Sequence, residues 1–276
     1  MNDNRNAKAS AFKALHAEGV LVLPNAWDAG SAALIARSGA RAVATTSGGV
    51  SWALGRPDGQ ALTREEMAGQ VRRICAAVDL PVTADIEGGY GPDPDDVAAT
   101  VAAVIDAGAV GVNIEDSVAP GQPLFGIDEQ SRRLRAARSA AEAAGVPDLV
   151  VNARTDVYLF GIGAEEGRFD DVVARGQAYA DAGADCLFVP GLVDLEAVAA
   201  LVKAVPLPVN VMAGPGAPTV TEFEAAGARR VSVGTAISQA AYSLAQRVAV
   251  ELVEHGTYGE LAGALDYMSL NSVFGR

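Results

Sequence analysis

Histidine and cysteine are nearly missing from this 276-residue chain, with two of each. His16 and His255 stand away from the acidic clusters, so zinc is not expected and no Ser-His-Asp arrangement is legible. Cys75 falls in a helical stretch and Cys186 in an apolar strand. They are too few for a disulfide framework and too far apart for a metal knuckle, and both read as core thiols. Basic residues are also in deficit: 21 Lys and Arg face 34 Asp and Glu, a formal charge of -13. Without a long basic run, binding to nucleic acid or anionic lipid is not expected, and a small molecule is the expected partner. Apolar runs break well short of the roughly 18 residues that a membrane helix needs. The polar start, Met1 to Lys8, is not followed by an apolar signal region, so the expected location is the cytoplasm.

What the chain does have is a repeated helix ending, with glycine just before an apolar strand: Gly39, Gly108, Gly145, Gly183 and Gly227. Glycine enters the left-handed region without steric penalty, which lets the chain leave a helix and turn into a strand. Strands are predicted over 20–23, 42–46, 81–85, 110–115, 149–154, 186–189, 208–212 and 230–233. Amphipathic stretches alternate with them near 27–37, 63–77, 94–106, 129–143, 170–181, 194–204, 217–226 and 235–255. This alternation predicts a single (β/α)8 TIM-type barrel covering residues 1–276. A doubly wound open sheet is the structural alternative, disfavoured because Leu23-Pro-Asn-Ala-Trp27 stands where a glycine-rich dinucleotide turn would follow the first strand.

Chemistry gathers at the predicted strand ends, where barrel enzymes place their sites. Asp85 and Glu87 close one strand and lead into a glycine-rich turn, and Glu115 with Asp116 closes the next. Alternation along a strand puts Asp85 and Glu87 on one face, able to converge on one hard cation. The expected metal is Mg2+ or Mn2+, with Asp85, Glu87 and Glu115 as ligands and Asp58 in reach from its loop; the competing reading is an ion network with Arg154 or Arg56. Arg154 offers a planar fork for a substrate carboxylate, or pairs only with Asp156 or Glu115. Ser47-Gly48-Gly49 supplies either oxyanion-binding amides or a plain turn. Tyr90 and Tyr158 are candidate proton donors, and Trp27 and Trp52 candidate walls, each with packing as the alternative.

In these residues the chain resembles the isocitrate lyase and phosphoenolpyruvate mutase superfamily. The resemblance rests on Leu23-Pro-Asn-Ala-Trp-Asp28, Ser47-Gly48-Gly49, Leu54-Gly-Arg-Pro-Asp58, Ala84-Asp-Ile-Glu-Gly-Gly-Tyr-Gly91, Asn113-Ile-Glu-Asp116, Asn152-Ala-Arg-Thr-Asp156 and Asn210, in that order. It implies a Mg2+-dependent enzyme that binds a 2-oxo- or hydroxycarboxylate and stabilises an enolate-like species. Under it, Asp85, Glu87 and Glu115 form the metal shell with Asp58 further out. Ser47, Gly48, Gly49, Arg154 and Asn210 anchor substrate, and the catalytic set is Arg154, Tyr90 and Glu115. The resemblance also implies a homo-oligomer, a dimer or tetramer, in which the C-terminal helical segment from about 235 is exchanged between copies.

Three departures bear on the reaction. The usual Asp-x-Asp pair is Asp85-Ile-Glu87. Ser117-Val-Ala-Pro-Gly-Gln-Pro-Leu-Phe-Gly126 replaces both the thiol-bearing loop of the lyase branch and the loop of the mutase branch, and is expected to act as a short lid. Phe188-Val-Pro190 stands where the mutase branch carries a histidine. A carbon-carbon lyase or decarboxylase is the leading expectation, because metal and amide stabilisation of an oxyanion needs neither Cys nor His. Carbon-phosphorus chemistry of the phosphonomutase type and a non-catalytic carboxylate-binding barrel are the alternatives.

Overall fold

The computed structural model describes residues 2–119, 121 and 123–275. Helix α1 (Asn2–Ala14) precedes β1 (Leu21–Leu23), which runs through Pro24 into β2 (Asn25–Ala26). There follow α2 (Ala29–Arg37), β3 (Val43–Thr45), α3 (Ser47–Ala53), α4 (Arg64–Ala77), β4 (Val82–Asp85), α5 (Pro94–Ala107) and β5 (Gly111–Glu115). The second half continues with α6 (Ile127–Ala143), β6 (Val150–Arg154), α7 (Arg168–Asp181), β7 (Cys186–Phe188), α8 (Leu195–Ala204) and β8 (Val209–Met212). It ends with α9 (Val220–Ala225), β9 (Arg230–Ser232), α10 (Ala236–His255) and α11 (Tyr267–Phe274).

Every strand pairing is parallel, in the order β1-β9-β8-β7-β6-β5-β4-β3-β2. The wall closes through the chain itself, because β1 pairs with β9 while β2, one residue on, pairs with β3. Pro24 has no N–H for the ladder and divides this first strand in two. Asn25 stitches the seam: its Nδ2 donates to the Thr45 carbonyl at 3.0 Å, and Val233 N–H donates to its Oδ1 at 3.0 Å. Counting β1 and β2 as one interrupted strand, this is the expected (β/α)8 barrel. The five helix-ending glycines all adopt positive φ, +89, +108, +75, +92 and +95° at 39, 108, 145, 183 and 227. Their left-handed turns deliver each following strand into the wall.

Three helices escape the periodic reading. α1 carries a mostly polar sequence, yet Ala9 and Phe12 are fully buried and plug the N-terminal mouth of the barrel. A Cβ on Gly111 would lie 2.7 Å from the Phe12 ring, so that strand needs glycine to admit the plug. Lys13 fixes the helix through Asp185 at 3.1 Å. α3 begins on Ser47 itself, and α11 returns the C-terminal segment towards α2 near Gly30. No helix among the described residues is long and apolar enough to cross a membrane.

Candidate active site

With the N-terminal mouth plugged, the open end is the one where strands finish, and a cavity of about 190 Å³ lies there. Asp58, Asp85, Ser47, Asn113, Asn152, Arg154, Asn210 and Arg230 all line it, with Leu159, Phe188 and Met212 as apolar wall. Asp85 ends β4 and is held on two sides: Ser47 N–H donates to its Oδ2 at 3.0 Å and Asn113 Nδ2 to its Oδ1 at 2.9 Å. Asn152 Nδ2 in turn donates to Asn113 Oδ1 at 3.0 Å, so a polar chain crosses three adjacent strands. Burial, and then the charge of Asp85, push the Asp58 carboxyl above its ordinary pKa.

Glu87 does not share that wall. The strand ends at Asp85, and Glu87 itself has a left-handed backbone (φ 50°), so the alternation that would have paired the two carboxylates stops one residue too early. The Glu87 Oε2 accepts from Gln60 N–H, and its Oε1 accepts from the Tyr90 hydroxyl at 2.9 Å. Burial first, then Asp85 and Asp58, push Glu87 up to about 7. Tyr90 is correspondingly turned to Glu87 and is not part of the cavity lining. Its expected role as proton donor therefore lacks the geometry, and burial pushes its phenol above its ordinary value.

Arg154 reaches the cavity already engaged. Its Nε and Nη2 donate to Asp156 at 2.6 and 3.1 Å, and its Nη1 lies 3.0 Å from Glu115 Oε2. Burial opposes the charge, but Glu115 and Asp156 outweigh it and hold the guanidinium above its ordinary pKa. All three nitrogens of the fork are thus engaged, and substrate meets only the second N–H of Nη1 and of Nη2. Glu115 is buried against Arg154, off the cavity lining; burial raises its pKa against the opposing pull of Arg154. Among the described residues no three acidic, histidine or cysteine side chains converge as a metal cage. The expected shell is instead divided, Asp58 and Asp85 on the wall, Glu87 and Glu115 away from it.

Ser47, Gly48 and Gly49 form the first turn of α3, a helical rather than a plain turn. A Cβ on Gly48 would lie 2.8 Å from Thr235 and 3.1 Å from Asp58, and one on Gly49 2.8 Å from both Thr46 and Trp27. Both glycines therefore have a packing reason. Trp27 packs there, and Trp52 stacks edge-on with Tyr242 at 6.4 Å, so neither walls the cavity. Asp116 is fully buried and serves the loop instead: Arg175 Nη1 and the Tyr179 hydroxyl donate to it at 3.0 and 2.8 Å, and Phe125 N–H to its carbonyl at 2.8 Å. A bridge between Ser117 and Leu124 pinches the base of the loop expected to be a lid; Pro120 within it lies outside the described residues.

Gln60, Asn25, Asn113, Asn152 and Arg230 were not candidates. The asparagines had a signal, a polar residue inside an otherwise apolar strand with no turn to explain it, as in Val150-Val-Asn152. Cys75 and Cys186 carry thiols that burial pushes up to about 12, in keeping with core positions.

A sequence model of the family described as phosphoenolpyruvate phosphomutase matches residues 12–253. The chain belongs to the isocitrate lyase/phosphoenolpyruvate mutase superfamily. It is 34% identical to the 2-methylisocitrate lyase of Escherichia coli over 213 residues, 74% of this chain and 69% of that one. A crystal structure from Burkholderia cenocepacia J2315, named as a lyase/mutase, superposes with a TM-score of 0.91 at 40% identity, covering 98% of this chain and 97% of that one. Oxaloacetate acetylhydrolase, solved with its product oxalate, superposes at 0.86 with 28% identity over 98% and 94% of the two chains. Superfamily membership makes this chain an enzyme, and its barrel carries a cavity at the strand ends.

Proposed function

We propose that the protein is a Mg2+-dependent lyase or decarboxylase that breaks a carbon-carbon bond in a small 2-oxo- or 2-hydroxycarboxylate through an enolate-like species. The observation that carries the reading is the pair Asp58 and Asp85, two carboxylates on one cavity wall, near enough for the charge of one to raise the proton affinity of the other. Such a pair fits a hard cation that keeps several of its waters, so Asp58 and Asp85 would hold Mg2+ or Mn2+, with Glu87 within electrostatic reach. When bound, the cation offsets the negative charge that develops on the substrate oxygen.

The chain's own groups do the rest. Arg154 and Asn210 line the cavity, and the N–H groups of Arg154 left over from Asp156 and Glu115, with the unpartnered Nδ2 of Asn210, are the donors on hand for a carboxylate. The first-turn amides of Gly48 and Gly49 make no backbone bond among the described residues and remain donors at the start of α3. Leu159, Phe188 and Met212 keep water from the reacting carbon. Phe188 offers no proton, which weighs against the mutase type of chemistry, and both thiols are too basic for a cysteine mechanism.

The test is a panel of 2-oxo and 2-hydroxy mono- and dicarboxylates incubated with enzyme and Mg2+ and followed by proton NMR. Cleavage or decarboxylation products that vanish with EDTA are expected. Turnover unaffected by EDTA removes the metal, and binding without turnover across the panel returns the barrel to a carboxylate-binding role.

A further inference from the structure

Arg230 stands apart from the other deeply buried arginines. Arg154 and Arg175 have carboxylate partners, and Arg133 is wrapped by the carbonyls of Gly88, Gly91 and Pro92. Arg230 is 2% exposed, and both its Nε and its Nη1 are enclosed without any hydrogen-bond partner. It has no ion pair among the described residues, although it lines the same cavity as Asp85 and Arg154. A guanidinium removed from water, without a hydrogen bond on Nε or Nη1 and with only the more distant charge of Asp85 to offset it, is strongly unfavourable, so a folded chain that keeps one presents it to something.

The surroundings specify what. In register with Arg230 on the next strand is Asn210, whose Nδ2 is also buried without a partner, and Asn152 Oδ1 and Thr83 Oγ1 complete the set of orphaned atoms on the lining. Donors outnumber acceptors in this group and one of them carries a full charge. A water molecule accepts and donates equally and leaves that charge unanswered, whereas a carboxylate accepts from several donors and neutralises it. The register row Glu115, Arg154, Phe188, Asn210, Arg230 spans five adjacent strands and sets the two arginines three strands apart, roughly 14 Å along the sheet.

We propose that Arg230 and Asn210 form a second carboxylate subsite deep in the barrel, so that the substrate is a dicarboxylate with one acid group near the strand ends and the other on Arg230. This rests on the carboxylate-lyase reading and narrows it. Arg230 would act by positioning the substrate, not by moving protons.

The experiment compares malate with lactate, which share the 2-hydroxycarboxylate and differ in the second acid, by calorimetry on the full chain with Mg2+. Wild type is expected to prefer malate by about tenfold or more, the range of one charge-assisted contact. Arg230→Met should bring malate down to the level of lactate while leaving lactate within about threefold, and should raise the melting temperature by removing a buried charge that has no ion pair among the described residues. Arg230→Lys keeps the charge without the fork and should lose most of the malate preference. Equal wild-type binding of both acids leaves the lyase reading standing and overturns this subsite, as does a malate affinity unchanged in Arg230→Met, which would mean that Arg230 faces water only. Absence of binding of either acid to wild type overturns the carboxylate reading and the subsite together.

Discussion

Gln60 donates its backbone N–H to the carboxylate of Glu87, and both residues hold left-handed backbones, φ 59° and 50°. The third non-glycine residue with positive φ among those described, Tyr90 at 59°, closes the set. Its N–H donates to Gln60 Oε1 at 2.9 Å and its hydroxyl to Glu87. Gln60 Nε2 also reaches the Val118 carbonyl at 3.3 Å, so one side chain ties three of the loops above the strand ends. Strained backbone persists where surrounding contacts over-determine it, and here the contacts are mutual.

Two substitutions separate strain from tether at Gln60. Gln60→Ala loses both side-chain bonds and keeps the unfavourable φ, whereas Gln60→Gly loses the bonds but relieves the backbone. The glycine variant should be the more stable of the two by about 1 kcal/mol. Both should speed amide exchange at Tyr90. Equal unfolding free energies for the pair would show that the left-handed turn at Gln60 is not strained.

Removing a wall carboxylate tests the cation. Asp85→Ala deletes one of the two acids that face the cavity and frees the Ser47 N–H and the Asn113 amide that it held. Mg2+-dependent binding of oxalate should fall by at least about a hundredfold, the scale of a lost charged ligand contact. The calorimetric control is wild type in EDTA, and oxalate binding that survives there at full strength sinks the metal assignment.

His16 contributes a pH dependence of defined sign. It lies buried under the barrel beside Phe12, whose carbonyl is 3.0 Å from its Nδ1, while its Nε2 has no partner. Burial, then the charge of Arg230, pull its pKa from 6.5 down to about 4, against a smaller upward pull from Asp185. The unfolded chain therefore binds the proton more readily than the native one between those values. The stability His16 provides is whole above pH 6.5 and is lost as pH falls towards 4, in all about 3 kcal/mol. Urea unfolding at pH 7 and pH 5 should show a smaller fall for His16→Leu than for wild type. An unchanged difference between the two pH values would mean that another group titrates instead.

The barrel was legible because its signal repeats: five glycine-ended helices and eight apolar strands left one consistent architecture. Asp85, Arg154 and Asn210 were legible because they end or interrupt apolar strands, Asp58 through its loop and the family resemblance, and all four line the cavity. Glu87 was set beside Asp85 by applying strand alternation to a residue whose backbone had already turned left-handed, and Tyr90, read from its loop as a proton donor or a packing residue, donates to that same Glu87. Arg230 stayed hidden for a different reason. It sits at the start of β9 beside half-buried Arg229, whose Nη1 reaches the Gly19 carbonyl, and nothing in the letters distinguishes the unpartnered arginine from its partnered neighbour.

The C-terminal arm carries the last prediction. Beyond Ser238, α10 and α11 expose many large apolar side chains among their polar ones, including Val253 at 84%, Tyr267 at 77% and Met268 at 72%. A monomer that leaves so many large apolar side chains of one segment in water is unusual, since such surface ordinarily marks an interface. We propose that a second copy of the chain covers it, in line with the exchange of this segment expected from the superfamily resemblance. Light scattering coupled to size exclusion should then give a multiple of 28.1 kDa for wild type. Val253→Glu with Met268→Glu places two charges on the arm and should shift the mass towards one chain. The circular dichroism of the barrel should be unchanged, because neither side chain touches its core. A wild-type mass of a single chain at micromolar concentration would leave the arm without its partner and end the proposal.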